Sequence, residues 1–174
     1  DPAEQATVWD EAFYPIATGQ FTRGDEQSWR IGSMTKIWAC AGLRLGYVVA
    51  PDAQSCQVLA SRQPKWSVNG LALAIIEPML EKTDLRVMKD QLEVLRASLF
   101  LLLQEKGIAV QMTTANWLLI HNGATLYEHL AKKNIFMRNC ASFGLENTYR
   151  IAVPAKTSIE KIKIALMDFE VEHE

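Results

Sequence analysis

Along the first fifty residues, short apolar runs are punctuated by glycine, proline and polar clusters; beyond residue 52, apolar positions recur three and four apart. The first pattern marks strands and the second amphipathic helices. Residues Ala6 to Phe13 read as a short buried strand with acidic residues at its C-terminal end, where open α/β sheets place ligands. A loop rich in glycine, proline and polar residues follows from Pro15 to Gln27. A second strand, Ser28 to Ser33, then runs into Lys36, and Gly42 to Ala50 reads as a third, closed by Pro51. Asp52 suits the N-cap of a helix whose face carries Val58, Leu59 and Arg62 and which stops before Pro64. Ser67 offers a cap for another helix through Leu80.

The helical pattern is clearest from Asp84 to Lys106. Leu85, Met88, Leu92, Leu95, Leu99 and Leu102 recur at three- and four-residue steps, and Gly107 supplies the stop. Such a stripe predicts a buried face. Ile108 to Met112 and Asn116 to Ile120 read as strands around a turn, Gly123 to Lys133 as a helix, Ile135 to Arg138 and Arg150 to Val153 as strands, and Ser158 to Phe169 as a final amphipathic helix. The closing Glu-Val-Glu-His-Glu reads as a frayed charged tail. This order predicts part of a mostly parallel α/β layer over residues 1–80, followed by a small α+β domain over 81–174.

Composition narrows the function classes. The 174 residues are 49% hydrophobic, enough for a core, and 18 basic against 20 acidic residues give a net charge of -2. No basic stripe is available to neutralise nucleic-acid phosphates. The longest apolar runs, Leu71 to Ile76 and Leu99 to Leu103, fall far short of the roughly 20 residues that cross a bilayer. Nothing at the start resembles a signal peptide, so a cytoplasmic location is expected. Cys40, Cys56 and Cys140 are widely spaced without a CxxC pair, which indicates neither a disulfide framework nor a metal site. His121, at the end of an apolar strand, reads as a turn residue, and Cys140 lacks a neighbouring base.

The informative cluster is Asp10-Glu11-Ala12-Phe13, then Ser33-Met34-Thr35-Lys36, then Gly42-Leu43-Arg44-Leu45-Gly46-Tyr47. Singly, each piece is ordinary: an aspartate at a strand end is a cap, and a lysine after a strand is a solvated residue. Together, in this order and spacing, they resemble the cofactor half of fold-type I pyridoxal 5'-phosphate (PLP) enzymes, in the branch holding aminotransferases and threonine-phosphate decarboxylases. The resemblance implies that Lys36 bonds the cofactor, through an amine whose pKa burial would lower. Asp10 would face the pyridine nitrogen and keep it protonated. Arg44, with the hydroxyls of Ser33 and Thr35, would hold the cofactor phosphate.

Two departures from the family pattern stand out. Phe13 occupies the position where many relatives carry a tyrosine, although decarboxylase-like relatives often have a phenylalanine there too, and Gly32 precedes the serine where many relatives have an arginine or an apolar residue.

Further on, Gln63 to Asn69 resembles the decarboxylases' lead into their interdomain segment. The stretches Arg138 to Leu145 and Tyr149 to Val153 resemble their two substrate-binding arginines. By that resemblance Arg150 would hold a substrate α-carboxylate and Arg138 its phosphate. The family further implies a homodimer in the full-length protein and decarboxylation of L-threonine O-3-phosphate for cobalamin side-chain assembly. Transamination of the histidinol-phosphate type is the alternative, and a non-enzymatic interaction domain is the second. Family members run about twice this length, so the chain is expected to be the C-terminal half and to turn over no substrate alone.

Overall fold

Trp29–Ser33 forms the central strand, β2, of a three-stranded sheet in the order β1-β2-β3. The computed structural model describes residues 7–170. β1 (Val8–Asp10) pairs with β2 in parallel, and β3 (Gly46–Val49) pairs with it antiparallel. Ala6, at the head of the first expected strand, and residues 171–174 of the expected tail lie outside the described residues. The chain divides into two units, Asp1–Lys89 and Asp90–Glu174, with the division inside a helix rather than at residue 80.

In the first unit, α1 (Tyr14–Thr18) follows β1, and the single turn α2 (Met34–Ile37) follows β2 directly. α3 (Ala53–Arg62) and α4 (Gly70–Glu81) come after β3. Met34 and Ile37, three apart on α2, sink into a cluster with Leu43, Leu45, Ala72 and Leu85. Burying that pair turns Thr35 and Lys36 outward, so Lys36 is exposed rather than desolvated as its chemistry suggested. Leu85, expected with the second domain, belongs to this cluster because the first turn of α5 (Leu85–Glu105) supplies it.

Several expectations change here. The expected third strand from Gly42 is extended only over Gly46–Val49. Residues Ala41–Leu43 form a 3-10 turn and Arg44 is left-handed (φ 50°), which breaks the extended run. β3 also runs antiparallel, so the layer is mixed rather than mostly parallel. β1 is not buried: Val8 is 56% and Trp9 39% exposed, because β1 is an edge strand. Asp52 caps α3 by accepting the Ser55 N–H (2.7 Å), whereas α4 is capped by Asn69 instead of Ser67.

The sheet has one covered and one open face. Trp9, Arg30 and Val49 form one cross-strand row, and Gly32 and Tyr47 pair in the next. A Cβ at Gly32 would lie 2.0 Å from the Tyr47 ring. The missing side chain is what lets the tyrosine ring lie flat across β2.

The second unit is a four-stranded antiparallel sheet, β4 (Val110–Gln111), β5 (Trp117–His121), β6 (Arg138–Asn139) and β7 (Thr148–Ala152), in the order β4-β5-β7-β6. Alternation along β5 and β7 sends Leu118, Ile120, Tyr149 and Ile151 to one face. There they meet Leu99 and Leu103 of α5, Leu126 and Leu130 of α6 (Ala124–Ala131), and Ile159 and Ile162 of α7 (Lys156–Ala165). Each fully buried leucine or isoleucine contributes roughly 1.5–3 kcal/mol. The strand expected from Ile135 shrinks to Arg138–Asn139, because the Ile135 N–H bonds back to the Leu130 carbonyl (2.9 Å) to close α6. Among the described residues no helix is long and apolar enough to cross a membrane.

Gly32→Ala is expected to lower unfolding free energy by about 1–3 kcal/mol, as overpacking does. Combined with Tyr47→Ala, the same substitution should cost much less, and urea unfolding of the four proteins in the cycle measures the difference.

Candidate functional site

Strand direction decides which side chains can meet. β1 and β2 are parallel, so Asp10 and Ser33 both stand at carboxyl ends on the same edge of the sheet. β3 is antiparallel, so its amino end comes to that edge as well, with Gly46 paired to Ser33. The residues leaving or entering the sheet there are the segment after Asp10, the α2 turn with Thr35 and Lys36, and Arg44 just before β3. The first unit thus gathers residues of three segments, Asp10, then Ser33, Thr35 and Lys36, then Arg44, along one edge.

Each of these side chains has a defined local setting. Asp10 is exposed, and its Oδ1 accepts the Ala12 N–H (2.9 Å). The hydroxyls of Ser33 and Thr35 are 2.7 Å apart, and the Thr35 N–H donates to the Leu45 carbonyl (3.4 Å), tying α2 to the entry of β3. Lys36 holds its Nζ 5.2 Å from the centre of the Phe13 ring. At this position a phenyl face thus lies beside the lysine, and the neighbouring Tyr14 turns away, 3.5 Å from Gln20. Arg44 is exposed between buried Leu43 and Leu45, with its Nη1 donating to the Ala41 carbonyl (3.1 Å).

Arg138 and Arg150 lie in the second unit, where they are direct cross-strand partners on β6 and β7. Two like charges placed opposite each other repel. Among the described residues no carboxylate pairs with either. Aromatic faces sit beside them instead: Arg150 over Trp117 (4.7 Å) and Arg138 by Phe143 (5.6 Å), with Arg138 also donating to the Ser142 hydroxyl (3.2 Å). Such a pair offers two guanidinium forks to anionic groups. Cys140 is buried with its thiol donating to the Arg138 carbonyl (3.5 Å), and His121 ends β5 with its Nε2 2.9 Å from Gln111. His121 is therefore a strand residue rather than a turn residue.

Support for the first-unit edge comes from residues to which the sequence reading gave no role. Each strand of the sheet contributes one polar side chain to the loop crossing its covered face. Glu11, just past β1, accepts the Arg23 N–H (3.1 Å), Arg30 of β2 donates to the Thr22 hydroxyl (3.4 Å), and Tyr47 of β3 donates to the Phe21 carbonyl (3.0 Å). Three consecutive loop residues are held by three adjacent strands. Glu11 and Arg30 are almost wholly buried, each with one polar atom lacking a hydrogen-bond partner. The Glu11 N–H also donates to the Ile31 carbonyl (2.7 Å), extending the parallel ladder one residue past Asp10. Period-2 alternation along Asp10-Glu11, and the pairing of a glycine with a tyrosine, were the available signals.

Comparison with known proteins shows the family and the fold. The aminotransferase class I and II family matches residues 5–169. The threonine-phosphate decarboxylase of Salmonella typhimurium is 30% identical over 175 residues, which take in 91% of this chain and 47% of that protein. A histidinol-phosphate aminotransferase of Symbiobacterium thermophilum is 29% identical over 142 residues, 77% of this chain and 39% of that protein. Among solved structures, histidinol-phosphate aminotransferase from Clostridium acetobutylicum has the same fold, with a TM-score of 0.81 at 24% identity over 95% of this chain and 54% of that one. The chain spans about half the length of the relatives it matches.

Burial, and then the negative charge of Glu11, push the Tyr47 phenol above its ordinary value of 10.0. A raised folded-state pKa means that the stabilisation is complete below the unfolded pKa and is lost as pH rises through the folded one. Alkaline titration of phenolate absorbance should therefore show a late component that Tyr47→Phe removes. Glu11→Gln should move that midpoint down, and an unmoved midpoint would contradict the arrangement.

Proposed function

This chain belongs to the aminotransferase class I and II family, which depends on PLP, and from that membership we propose that its first-unit edge is the lysine-bearing part of a PLP site. The full-length enzyme, on this reading, decarboxylates L-threonine O-3-phosphate. The observation that carries the proposal is the convergence of Asp10, Ser33, Thr35, Lys36 and Arg44 on one exposed edge through the pairing of β1, β2 and β3. An amine, a carboxylate, a guanidinium and two hydroxyls are the donor set that an aldehyde, a pyridine nitrogen and a phosphate require.

The roles follow from the chemistry of each group. Lys36 supplies the amine that attaches the cofactor. Its exposed position leaves that amine accessible, beside an aromatic face that tolerates a cation without pairing with it. Asp10 holds a proton on the pyridine nitrogen, and its orientation is set by the bond from the Ala12 N–H. Arg44 offers a bidentate fork to the phosphate, with the Ser33 and Thr35 hydroxyls as short donors beside it. When bound, PLP supplies an electron sink that stabilises negative charge at the substrate Cα. Lys36, its amine freed when the substrate amine takes its place, would deliver the proton that replaces the lost carboxylate at Cα.

Arg138 and Arg150 supply the substrate contacts in this reading. Arg150 takes the α-carboxylate and Arg138 the phosphate, and their cross-strand pairing without a carboxylate partner suits a doubly anionic ligand. The similarity to histidinol-phosphate aminotransferases favours a second reading, transamination by the same residues.

The two readings separate in one assay of the full-length protein. With L-threonine O-3-phosphate, carbon dioxide should be released without any 2-oxo acid acceptor. Transamination would instead need that acceptor and would leave the cofactor in its amine form. Arg138→Ala and Arg150→Ala should each lower kcat/KM by about 10- to 150-fold, the worth of a hydrogen bond to a charged group.

A further inference from the structure

We infer that Asn69 is a positioning residue for Arg44: its side-chain amide holds the peptide plane that sets the backbone of Arg44, and so the direction in which the guanidinium projects. The inference deepens the proposed cofactor site and rests on it for the role of Arg44, though not for the positioning itself.

Arg44 adopts φ 50° and ψ 48°, a left-handed conformation that a non-glycine residue enters only when its surroundings impose it. The imposing contacts can be named. Leu43 and Leu45 on either side are each 6% exposed and anchored in the first unit's cluster. The Leu43 N–H donates to the Cys40 carbonyl (3.0 Å), and the Leu43 carbonyl accepts from Asn69 Nδ2 (2.8 Å). That carbonyl shares a rigid peptide plane with the Arg44 N–H. With Leu45 buried on the far side and its carbonyl accepting the Thr35 N–H, holding this plane fixes the near side of the bond about which φ of Arg44 turns.

Asn69 also caps α4, its Oδ1 accepting the Ala72 N–H (2.9 Å). Capping alone does not call for asparagine, since aspartate and serine cap equally well. Asp52 does that work for α3 through Ser55. What asparagine adds is a donor on the same side chain, and here the donor reaches across 26 residues to Leu43. One amide thus ties the start of α4 to the residue before Arg44, while Val68 packs against the cluster and fixes its approach.

Asn69→Asp separates the two jobs, because aspartate keeps the cap acceptor, loses the donor, and turns a charge toward the Leu43 carbonyl. In the labelled 174-residue chain, Arg44 should show the strong intraresidue amide–Hα cross-peak of a positive φ. Asn69→Asp should keep the helix content of α4, lose that cross-peak, and bind PLP about tenfold more weakly, the worth of one misplaced charged contact. Asn69→Ser, a capping side chain too short to reach Leu43, should do the same and stands in if Asn69→Asp fails to fold. A variant that keeps the positive-φ cross-peak together with wild-type PLP affinity overturns the inference. If the unaltered chain binds no PLP, the cofactor reading fails instead, and the cross-peak alone decides the role of Asn69.

Discussion

The parallel pairing of β1 with β2 is the constraint on which the candidate site depends. It brings Asp10 and Ser33 to the same edge, and the antiparallel return of β3 brings Arg44 there as well. Had β1 run antiparallel, Asp10 would stand at the opposite end of the sheet from Lys36. The pairing is maintained from the covered face, where Glu11, Arg30 and Tyr47 hold one loop across all three strands. Gly32 is part of the same device, because its bare backbone gives the Tyr47 ring its place. Support on one face and chemistry at the edge are thus two results of one register.

Backbone conformation supplies the finer placement. α2 is a single turn, yet burial of Met34 and Ile37 is enough to point Lys36 outward. Arg44 is held in the left-handed region between two buried leucines, which spends strain to aim a cation. In the second unit the strands do the aiming, since β6 and β7 set Arg138 and Arg150 opposite each other against Trp117 and Phe143.

Much of this was legible in the sequence where local rules decide. The stripe from Leu85 to Leu102 became α5, the Asp52 cap formed, and the Lys36 motif with its Asp10 and Arg44 companions marked the family that the comparisons bear out. What was not legible depends on partners distant in sequence. Local propensity cannot say that β3 runs antiparallel, or that Asn69 rather than Ser67 caps α4, because Asn69 is also bonded to Leu43. Neither the exposure of Val8 and Lys36 nor the fit of Gly32 to Tyr47 can be read from one strand alone. The burial of Glu11 and Arg30 depends on the loop that crosses over them, which no single strand specifies.

The central claim is that Lys36, on this edge, is the lysine to which PLP attaches. The direct measurement is a PLP titration of the full-length protein, followed by borohydride reduction and mass mapping of the modified lysine. The account predicts a new absorption band and a label confined to Lys36. Absence of the band, or a label spread over the surface lysines, would contradict it.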